Sequence, residues 1–252
     1  MNRALRCVLF DWGHTLMDFV WDDELTEAGH RAGVAALGRE ELPDFEAMAA
    51  DFRARFVPLL EAPDTLDEVE YPGLVRRVLA DFGIEVTDDE LGCFLGAEHE
   101  AWQPARRLAS MTHALLDALR ERGLALGVVS NAFDPGWLLH RDLERMEVAH
   151  RLDVAVFSSE LGKRKPHPAI FERALDGVGA APEETLFVGD RLYEDVRGAG
   201  ELGMTTVQAL WFRVDDHPDG REPDYEAFTM FDVLNIVERL RHQAAGPLPA
   251  RG

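Results

Sequence analysis

The sequence predicts an α/β fold in which a doubly wound, Rossmann-like parallel sheet carries an inserted all-helical cap. Short apolar runs recur along the chain and alternate with amphipathic helical patterns, which is typical of a parallel sheet covered on both faces. Residues 18–107 lack such runs and are rich in Ala, Glu, Leu and Arg at helical spacing. The 252 residues suffice for a domain of about 150 residues and a smaller second one.

Five apolar runs are predicted to form the strands of the sheet. They cover residues 5–10, 124–129, 154–157, 185–188 and 205–210. Helical patterns lie between or after them, at residues 111–122, 168–175, 193–202 and 231–242. Gly123 follows the first of these helices directly and is a plausible C-terminal cap. The alternation of strand and helix predicts right-handed crossover connections.

The helical insertion is predicted to contain four amphipathic helices. They cover residues 28–37, 45–56, 69–82 and 88–101. We therefore expect a core domain built from residues 1–17 and 108–243, with residues 18–107 forming the cap. The tail, residues 244–252, has the sequence AAGPLPARG and is expected to be disordered.

Composition and charge exclude some classes of partner. The net charge of −21 argues against nucleic acid and anionic membranes, because binding these polyanions requires clustered cations. No apolar stretch approaches the roughly 20 residues that span a bilayer. Cys7 and Cys93 are interpreted as reduced thiols of a cytoplasmic protein. Oligomeric state is not readable from the sequence.

Polar residues that fit phosphate chemistry follow two of the predicted strands. Asp11 ends the first strand, where a carboxylate can attack a phosphoryl group and form an aspartyl-phosphate. Ser130 and Asn131 follow the second strand, and their side chains can donate hydrogen bonds to phosphate oxygens. Taken alone, Ser-Asn is also common turn chemistry.

Two further motifs complete the set. Lys163 and Lys165 are the only lysines of this acidic chain, and a lysine beside a phosphate can stabilise charge in the transition state. Asp190 ends a predicted strand and Asp195 opens a predicted helix. Together with Asp11 they would form the hard oxygen-ligand site that Mg²⁺ prefers. Alternatively, Asp195 is only a helix N-terminal residue favoured by the dipole.

In this order, and each at the end of a strand, these residues resemble the four signature motifs of the haloacid dehalogenase-like superfamily. The resemblance covers nearly the whole chain, and the stretches SSELGKRKPHPAIF and FVGDRLYEDVRGA are its most specific parts. The inserted helices resemble the family's C1-type cap. The residues that carry the resemblance are Asp11 and Thr15 in the first motif, Ser130 in the second, Lys165 in the third, and Asp190 with Asp195 in the fourth.

The resemblance implies a Mg²⁺-dependent phosphatase that acts on a small phosphorylated metabolite. Asp11 would attack phosphorus and also bind the metal, and the backbone carbonyl of Gly13 would be a second metal ligand. Asp190 would bind Mg²⁺, and Asp195 would support it directly or through water.

The resemblance also assigns residues to the substrate. Ser130, Asn131 and Lys165 would bind its phosphate, and Lys165 would in addition orient and neutralise the nucleophile. Thr15 is grouped with the catalytic residues.

One position departs from the family pattern. Phosphatases of the family usually read Asp-x-Asp-Gly-Thr, where the second Asp is the acid/base, whereas this chain has Gly13 there. General acid–base help contributes typically 10²–10⁴-fold, so turnover should be slow unless another group substitutes. His14 is the nearest titratable candidate, and Glu24, His30 or a carboxylate of the cap are alternatives. Alternatively, His14 only packs or hydrogen-bonds within the loop.

The missing Asp leaves other functions open. A 2-haloacid dehalogenase also lacks it but uses no metal, and its fourth motif lacks the Gly-Asp pair present here as Gly189-Asp190. A phosphonoacetaldehyde hydrolase would need a cap lysine for a Schiff base, and residues 18–107 contain none. A non-enzymatic protein that senses a metabolite or binds a partner through the same pocket is the competing class.

Several other residues were considered as ligands. Phe19, Trp21 and Trp102 flank the cap junctions and are expected to pack, with a share in the substrate pocket as the alternative. Arg53 and Arg55 are expected on a solvated helix face, with contact to a second anionic group of the substrate as the alternative. His217, within DDHPDG, is interpreted as part of a surface turn.

Overall fold

The computed structural model describes residues 4–20, 22–39, 42–60 and 65–245. Within these ranges one six-stranded sheet is entirely parallel, and a separate two-stranded ribbon is antiparallel. The strands, in chain order, are β1 (Cys7–Phe10), β2 (Met17–Phe19), β3 (Arg106–Leu108), β4 (Ala125–Ser130), β5 (Val154–Phe157), β6 (Thr185–Gly189), β7 (Thr205–Ala209) and β8 (Tyr225–Ala227). The ribbon pairs β2 with β3, and all other strands belong to the parallel sheet.

The helices are divided between the insertion and the flanks of the sheet. Those of the insertion are α1 (Asp23–Ala36), α2 (Phe45–Leu60), α3 (Tyr71–Asp81) and α4 (Asp88–Ala101). Those that accompany the sheet are α5 (Thr112–Glu121), α6 (Gly136–Arg145), α7 (Ser158–Leu161), α8 (Pro168–Val178), α9 (Gly198–Glu201) and α10 (Met230–Ala245). None of the helices in the described part of the chain has the length and hydropathy that crossing a membrane requires.

The strand order places the start of the chain at the centre of the sheet. The order is β5-β4-β1-β6-β7-β8, so the chain runs outward from β1 on one side and then returns to build the other side. Phe10, the last residue of β1, pairs with Val128 on one neighbour and with Val188 on the other. The residue after Phe10 therefore lies where strand order reverses, which is where doubly wound sheets bind ligands. The predicted fold class is confirmed.

The sheet is buried on both faces, as its apolar runs require. Cys7 and Leu9 of β1 point into the hydrophobic cluster on one face, and Val8 and Phe10 point into the cluster on the other. This alternation is the period of two that a pleated strand imposes. Burial raises the pKa of the Cys7 thiol to about 12, so it stays protonated and unreactive. Cys7 and Cys93 are both free thiols.

The helices of the insertion pack around a third hydrophobic cluster, distinct from the two of the sheet, which Leu138 of α6 also joins. Phe52, Phe56, Tyr71 and Phe94 are among its buried members. Helix α4 begins at a capping box. The Thr87 side chain accepts a hydrogen bond from the backbone N–H of Glu90, and the Glu90 side chain accepts one from the backbone N–H of Thr87. The β2–β3 ribbon connects this unit to the sheet. Its strands have three residues each, which is too short for the sequence to show an alternation of apolar and polar residues.

Besides the short β2, β3 and α7, which were not predicted, the structure departs from the predicted elements in several places. The helix predicted over residues 193–202 is a π-helical turn, Leu192–Arg197, followed by the short α9, because the backbone N–H of Val196 bonds back to the Arg191 carbonyl. Helix α6 was not predicted, since Asn131–Gly136 contains turn residues. Strand β8 was also missed. Ala244 and Ala245 belong to α10, whereas the remaining tail residues, 246–252, lie outside the described residues.

A buried polar cluster joins the insertion to the core. The Nδ1 of His99, on α4, lies 3.0 Å from Asp134 Oδ1, and its Nε2 lies 2.9 Å from Asp142 Oδ2 on α6. The guanidinium of Arg106 contacts the same ring and lies 3.2 Å from Asp142. Burial alone would lower the pKa of His99, but the two carboxylates outweigh it and raise the pKa above 6.5. The cluster is therefore a buried polar network in which two carboxylates and a guanidinium surround the His99 ring.

This network predicts a pH-dependent contribution to stability. A histidine whose pKa is raised on folding stabilises the protein fully below its unfolded pKa of about 6.5, and the contribution is lost as pH rises through the higher folded value. We expect His99→Gln to lower the free energy of unfolding by about 1.5–3 kcal/mol at pH 6 and by less at pH 9. Urea unfolding of both proteins at the two pH values measures this. A difference that is the same at both values would contradict it.

Candidate active site

Three buried carboxylates meet at the carboxyl edge of the sheet. Asp11 directly follows β1, Asp190 follows β6, and Asp195 lies in the π-helical turn behind them. One oxygen of each lies within 4.8 Å of the other two, and their exposed fractions are 6%, 1% and 1%. Three carboxylates that lie this close together and this far from solvent need a compensating cation.

Lys165 supplies part of that positive charge. Its Nζ donates to Asp11 Oδ1 at 2.7 Å, to Asp195 Oδ1 at 2.6 Å and to the Val129 carbonyl at 2.9 Å. Reciprocal hydrogen bonds between Asn131 and the Lys165 backbone hold this loop, at 2.7 and 3.2 Å. Burial alone would lower the pKa of Lys165, but the two carboxylates raise it, so the ammonium stays charged.

Asp190 keeps an oxygen available for a ligand. Its Oδ2 accepts a hydrogen bond from Arg213 Nε, whereas its Oδ1 is buried and has no partner among the described residues. Burial, together with the charges of Asp11 and Asp195, raises the pKa of Asp190 despite Arg213. A buried carboxylate oxygen without a donor is costly, and a metal ion would relieve that cost.

Asp195 differs from Asp190 because both of its oxygens are already occupied. Lys165 bonds Oδ1, and the backbone N–H of Arg191 donates to Oδ2 at 3.0 Å. Burial raises the pKa of Asp195, while Lys165 opposes the rise. Asp195 is thus arranged to hold Lys165 and the loop in place, and Asp11 and Asp190 are the better placed of the three to coordinate an ion. This oxygen-donor set fits Mg²⁺.

The remaining residues of the predicted site lie at different depths. Ser130 ends β4 and lines, together with Asn131, a cavity of about 790 Å³ above the carboxylates. Thr15 is fully buried and is not among the residues that line this cavity. Its hydroxyl has no hydrogen-bond partner within the described ranges, and its carbonyl accepts a bond from Trp211 Nε1 at 2.9 Å. Thr15 therefore stabilises the loop that follows β1 and does not line the cavity.

Gly13 and His14 determine how protons could move at this site. A Cβ built on Gly13 meets no atom within 4 Å, so the missing side chain leaves open space in the cavity. His14 has a positive φ of 59° and its Nδ1 lies 3.4 Å from Asp18 Oδ1. Burial lowers the pKa of His14, and the charge of Arg213 lowers it further, so the ring is neutral near pH 7 and is a poor general acid.

The cavity is lined by the insertion as well as by the core. Of the alternative acid/base residues, neither Glu24 nor His30 is among those that line it. The third alternative, a carboxylate of the cap, is represented in the lining by Glu68 and Glu98, which the sequence did not single out by number. Three arginines that the sequence did not point to also line the cavity: Arg164, Arg191 and Arg213. Arg213 lies shortly after β7, and a charged residue beyond the carboxyl end of a strand was a signal that could have identified it.

The residues whose roles the sequence left open lie at different distances from the cavity. His217 is exposed and lies in a turn, as predicted, yet it also lines the cavity. Phe19 and Trp102 both line the cavity with their rings 5.7 Å apart, whereas Trp21 lies outside the described residues. Arg55 forms ion pairs with aspartates of the insertion, and neither it nor Arg53 lines the cavity.

Comparison with known proteins gives one family. The family model described as haloacid dehalogenase-like hydrolase matches residues 5–203. Glyceraldehyde 3-phosphate phosphatase of Pyrococcus furiosus is 26% identical over 94% of this chain and 95% of its own. The enzyme of the same name from Methanopyrus kandleri is 36% identical over 48% and 53%. Phosphoserine phosphatase of Thermus thermophilus is 40% identical over 48% and 47%. Several relatives are thus matched over only about half their length.

Solved structures share the fold over the whole chain. A phosphatase of the family from Thermococcus onnurineus has a TM-score of 0.61 at 22% identity and covers 92% of this chain and 98% of its own. A 2-haloacid dehalogenase from Pseudomonas syringae has a TM-score of 0.64 at 23% identity, with coverages of 93% and 99%. At these identities the likeness establishes the fold and does not distinguish between the two chemistries.

Proposed function

Because the chain belongs to the haloacid dehalogenase-like hydrolase family, we propose that it is a Mg²⁺-dependent phosphatase that acts on a small phosphate ester. The observation that carries the proposal is the charge arrangement around Asp11. A buried ammonium, that of Lys165, holds one of its oxygens, and the partnerless oxygen of Asp190 lies beside it. Relatives named as phosphatases support the same assignment.

The proposed reaction has two steps. The Asp11 carboxylate attacks phosphorus, the ester oxygen leaves, and a phosphoaspartate forms; water then cleaves it and restores Asp11. Lys165 fixes the carboxylate and offsets negative charge on the phosphoryl group, while Ser130 and Asn131 bind phosphate oxygens. Asp11, Asp190 and the Gly13 carbonyl would hold Mg²⁺, which when bound supplies further charge stabilisation. Asp195 positions Lys165.

Gly13 sets a limit on this chemistry. Gly13 has no side chain that could protonate the leaving oxygen or activate water, and the neutral His14 beside it is a poor acid for the leaving oxygen. The rate should therefore depend strongly on how readily the leaving group departs as an anion. The same observation favours a second candidate: a protein that binds Mg²⁺ and phosphate at this site with no significant turnover.

A direct assay separates the two candidates. The full chain is incubated with p-nitrophenyl phosphate, whose phenolate leaves without protonation, in Mg²⁺ or in a chelator. We expect nitrophenolate release in Mg²⁺ and none after chelation. Phosphate binding without release in either condition would overturn the phosphatase and leave the binding protein.

Removal of one metal ligand has a consequence that does not depend on activity. We expect Mg²⁺ at 100 times its dissociation constant to stabilise the wild-type protein by about 2.7 kcal/mol, which raises the unfolding midpoint by several degrees. Asp190→Asn should abolish that shift. Without Mg²⁺ the variant should be about as stable as wild type, because burial and the charges of Asp11 and Asp195 already disfavour the ionised form of Asp190, and the amide oxygen of Asn can still accept a hydrogen bond from Arg213.

Thermal unfolding with and without Mg²⁺ measures both effects. The control is Asp89→Asn, which removes an exposed carboxylate from α4 and should retain the full Mg²⁺ shift. An undiminished shift in Asp190→Asn would mean that the ion binds elsewhere.

A further inference from the structure

The wall of the cavity contributed by the insertion is aromatic and contains a buried carboxylate. Phe52 and Tyr71 lie with their ring centroids 5.9 Å apart, and Phe133, from the loop after β4, lies 4.9 Å from Tyr71. Glu98 of α4 lines the same cavity and is only 4% exposed. None of these residues has a role in the proposed phosphoryl transfer.

Glu98 has hydrogen-bond donors but no permanent cation. Tyr71 Oη donates to its Oε2 at 2.9 Å, and His30 Nε2 lies 3.3 Å from its Oε1. Burial and the charge of Glu98 raise the pKa of Tyr71, so the phenol is a neutral donor. Within the described ranges no lysine or arginine forms an ion pair with Glu98.

His30 is the second partner of Glu98 and lies deep in the same wall. Its ring is buried, with the Phe52 ring 5.0 Å away, and its Nδ1 has no hydrogen-bond partner in the described part of the chain. The partners of Glu98 are therefore a phenol and an imidazole held among aromatic rings, and no lysine or arginine of the described residues pairs with it.

The other carboxylates of this wall have arginine partners. Arg106 lies 3.2 Å from Asp142, and His99 contacts both Asp134 and Asp142. Glu68 accepts a hydrogen bond from Ser158, and Arg164 Nε lies 3.8 Å from its carboxylate. Glu98 differs because it has no lysine or arginine partner within the described ranges, and it lines a cavity large enough for a small ester.

We propose that this wall binds an ammonium group of the substrate, so that the preferred substrates are phosphate esters of amino alcohols. The inference rests on the proposed phosphatase function. Glu98 pairs with the ammonium charge, and the faces of Phe52, Tyr71 and Phe133 attract it through their quadrupoles. The phosphate lies at the opposite end, at Asp11 and Lys165. A second anionic group on the substrate is disfavoured by the same carboxylate.

Two esters that differ in one atom test the charge alone. Choline phosphate and 3,3-dimethylbutyl phosphate have the same shape, but the quaternary nitrogen of the first is a neutral carbon in the second. We expect kcat/KM to be at least about tenfold higher for choline phosphate. A second matched pair, 2-aminoethyl phosphate and propyl phosphate, tests in the same way whether a primary ammonium group raises kcat/KM.

Variants assign the preference to the proposed residues. In Glu98→Gln the ratio of the two kcat/KM values should fall towards one, whereas Asp89→Asn, on the exposed face of the same helix, should keep the wild-type ratio. Phe133→Leu removes one aromatic face and should lower the ratio for choline phosphate even if the Glu98 variant does not fold.

The outcomes separate this inference from the proposed function. Turnover of p-nitrophenyl phosphate with a ratio near one for both ester pairs would leave the phosphatase intact and overturn the ammonium site. A high ratio that survives in Glu98→Gln and in Phe133→Leu would also overturn it. Absence of turnover with every ester would refute the proposed function and this inference with it.

Discussion

Asp11→Asn is expected to lower the rate of phosphate release at least about 10³-fold while the protein remains folded. The amide cannot attack phosphorus, and it removes one of the metal's expected ligands. Folding should not suffer, because the change relieves repulsion among three buried carboxylates and Lys165 keeps its bonds to Asp195 and Val129. Steady-state release from p-nitrophenyl phosphate and the midpoint of thermal unfolding measure the two quantities.

The control for this variant is Asp89→Asn, which makes the same chemical change at an exposed position of α4 and should keep most of the activity. Equal losses in both would show that the Asp11 effect is not that of a nucleophile. Lys165 is a less suitable target, because its removal leaves buried charges unpaired, at a cost of about 3–5 kcal/mol.

Gly13→Asp is expected to raise turnover, by up to the 10²–10⁴-fold that general acid–base catalysis contributes. The space exists, since a Cβ at this position meets no atom within 4 Å, and Gly13 lines the cavity. The gain should be larger for an alkyl phosphate, whose leaving oxygen needs a proton, than for p-nitrophenyl phosphate. Gly13→Asn occupies the same space without an ionisable acid and should give no comparable gain.

The measurement is the kcat of wild type and of both variants with each of the two esters. A folded Gly13→Asp that is no faster than wild type on the alkyl ester would contradict the assignment of Gly13 as the missing acid/base.

The centre of the fold could be predicted because its signals are local. The run that ends at Asp11 is apolar throughout, and both faces of β1 are indeed buried. Helix α4 begins and ends where its pattern predicted, since Thr87 and Glu90 form a capping box. The π-helical turn could not be predicted, because it depends on two hydrogen bonds of the folded chain. The backbone N–H of Val196 donates to the Arg191 carbonyl, and the side chain of Asp195 accepts from the backbone N–H of Arg191.

The same distinction applies to the site. Asp11 and Asp190 could be expected to lie together because the carboxyl ends of parallel strands meet at one edge of a sheet, whereas Lys165 was singled out as one of only two lysines. That both oxygens of Asp195 are already bonded depends on three-dimensional contacts that no spacing encodes. Glu98 was missed for a similar reason: in sequence it is one of many glutamates on a helix, and only the packing of Tyr71 and His30 shows that it is a buried carboxyl group with no lysine or arginine partner among the described residues.

The most direct test of the central claim, phosphoryl transfer to Asp11, is a rapid-mixing experiment with p-nitrophenyl phosphate and Mg²⁺. Without an acid/base at Gly13 the phosphoaspartate should form faster than water cleaves it. We therefore predict a burst of one nitrophenolate per active site, followed by a slower steady state, and a phosphoryl group on Asp11 in the quenched protein. Gly13→Asp should shorten or abolish the burst. Nitrophenolate release that is linear from the first turnover, with no phosphoryl group recovered on Asp11, would contradict the account.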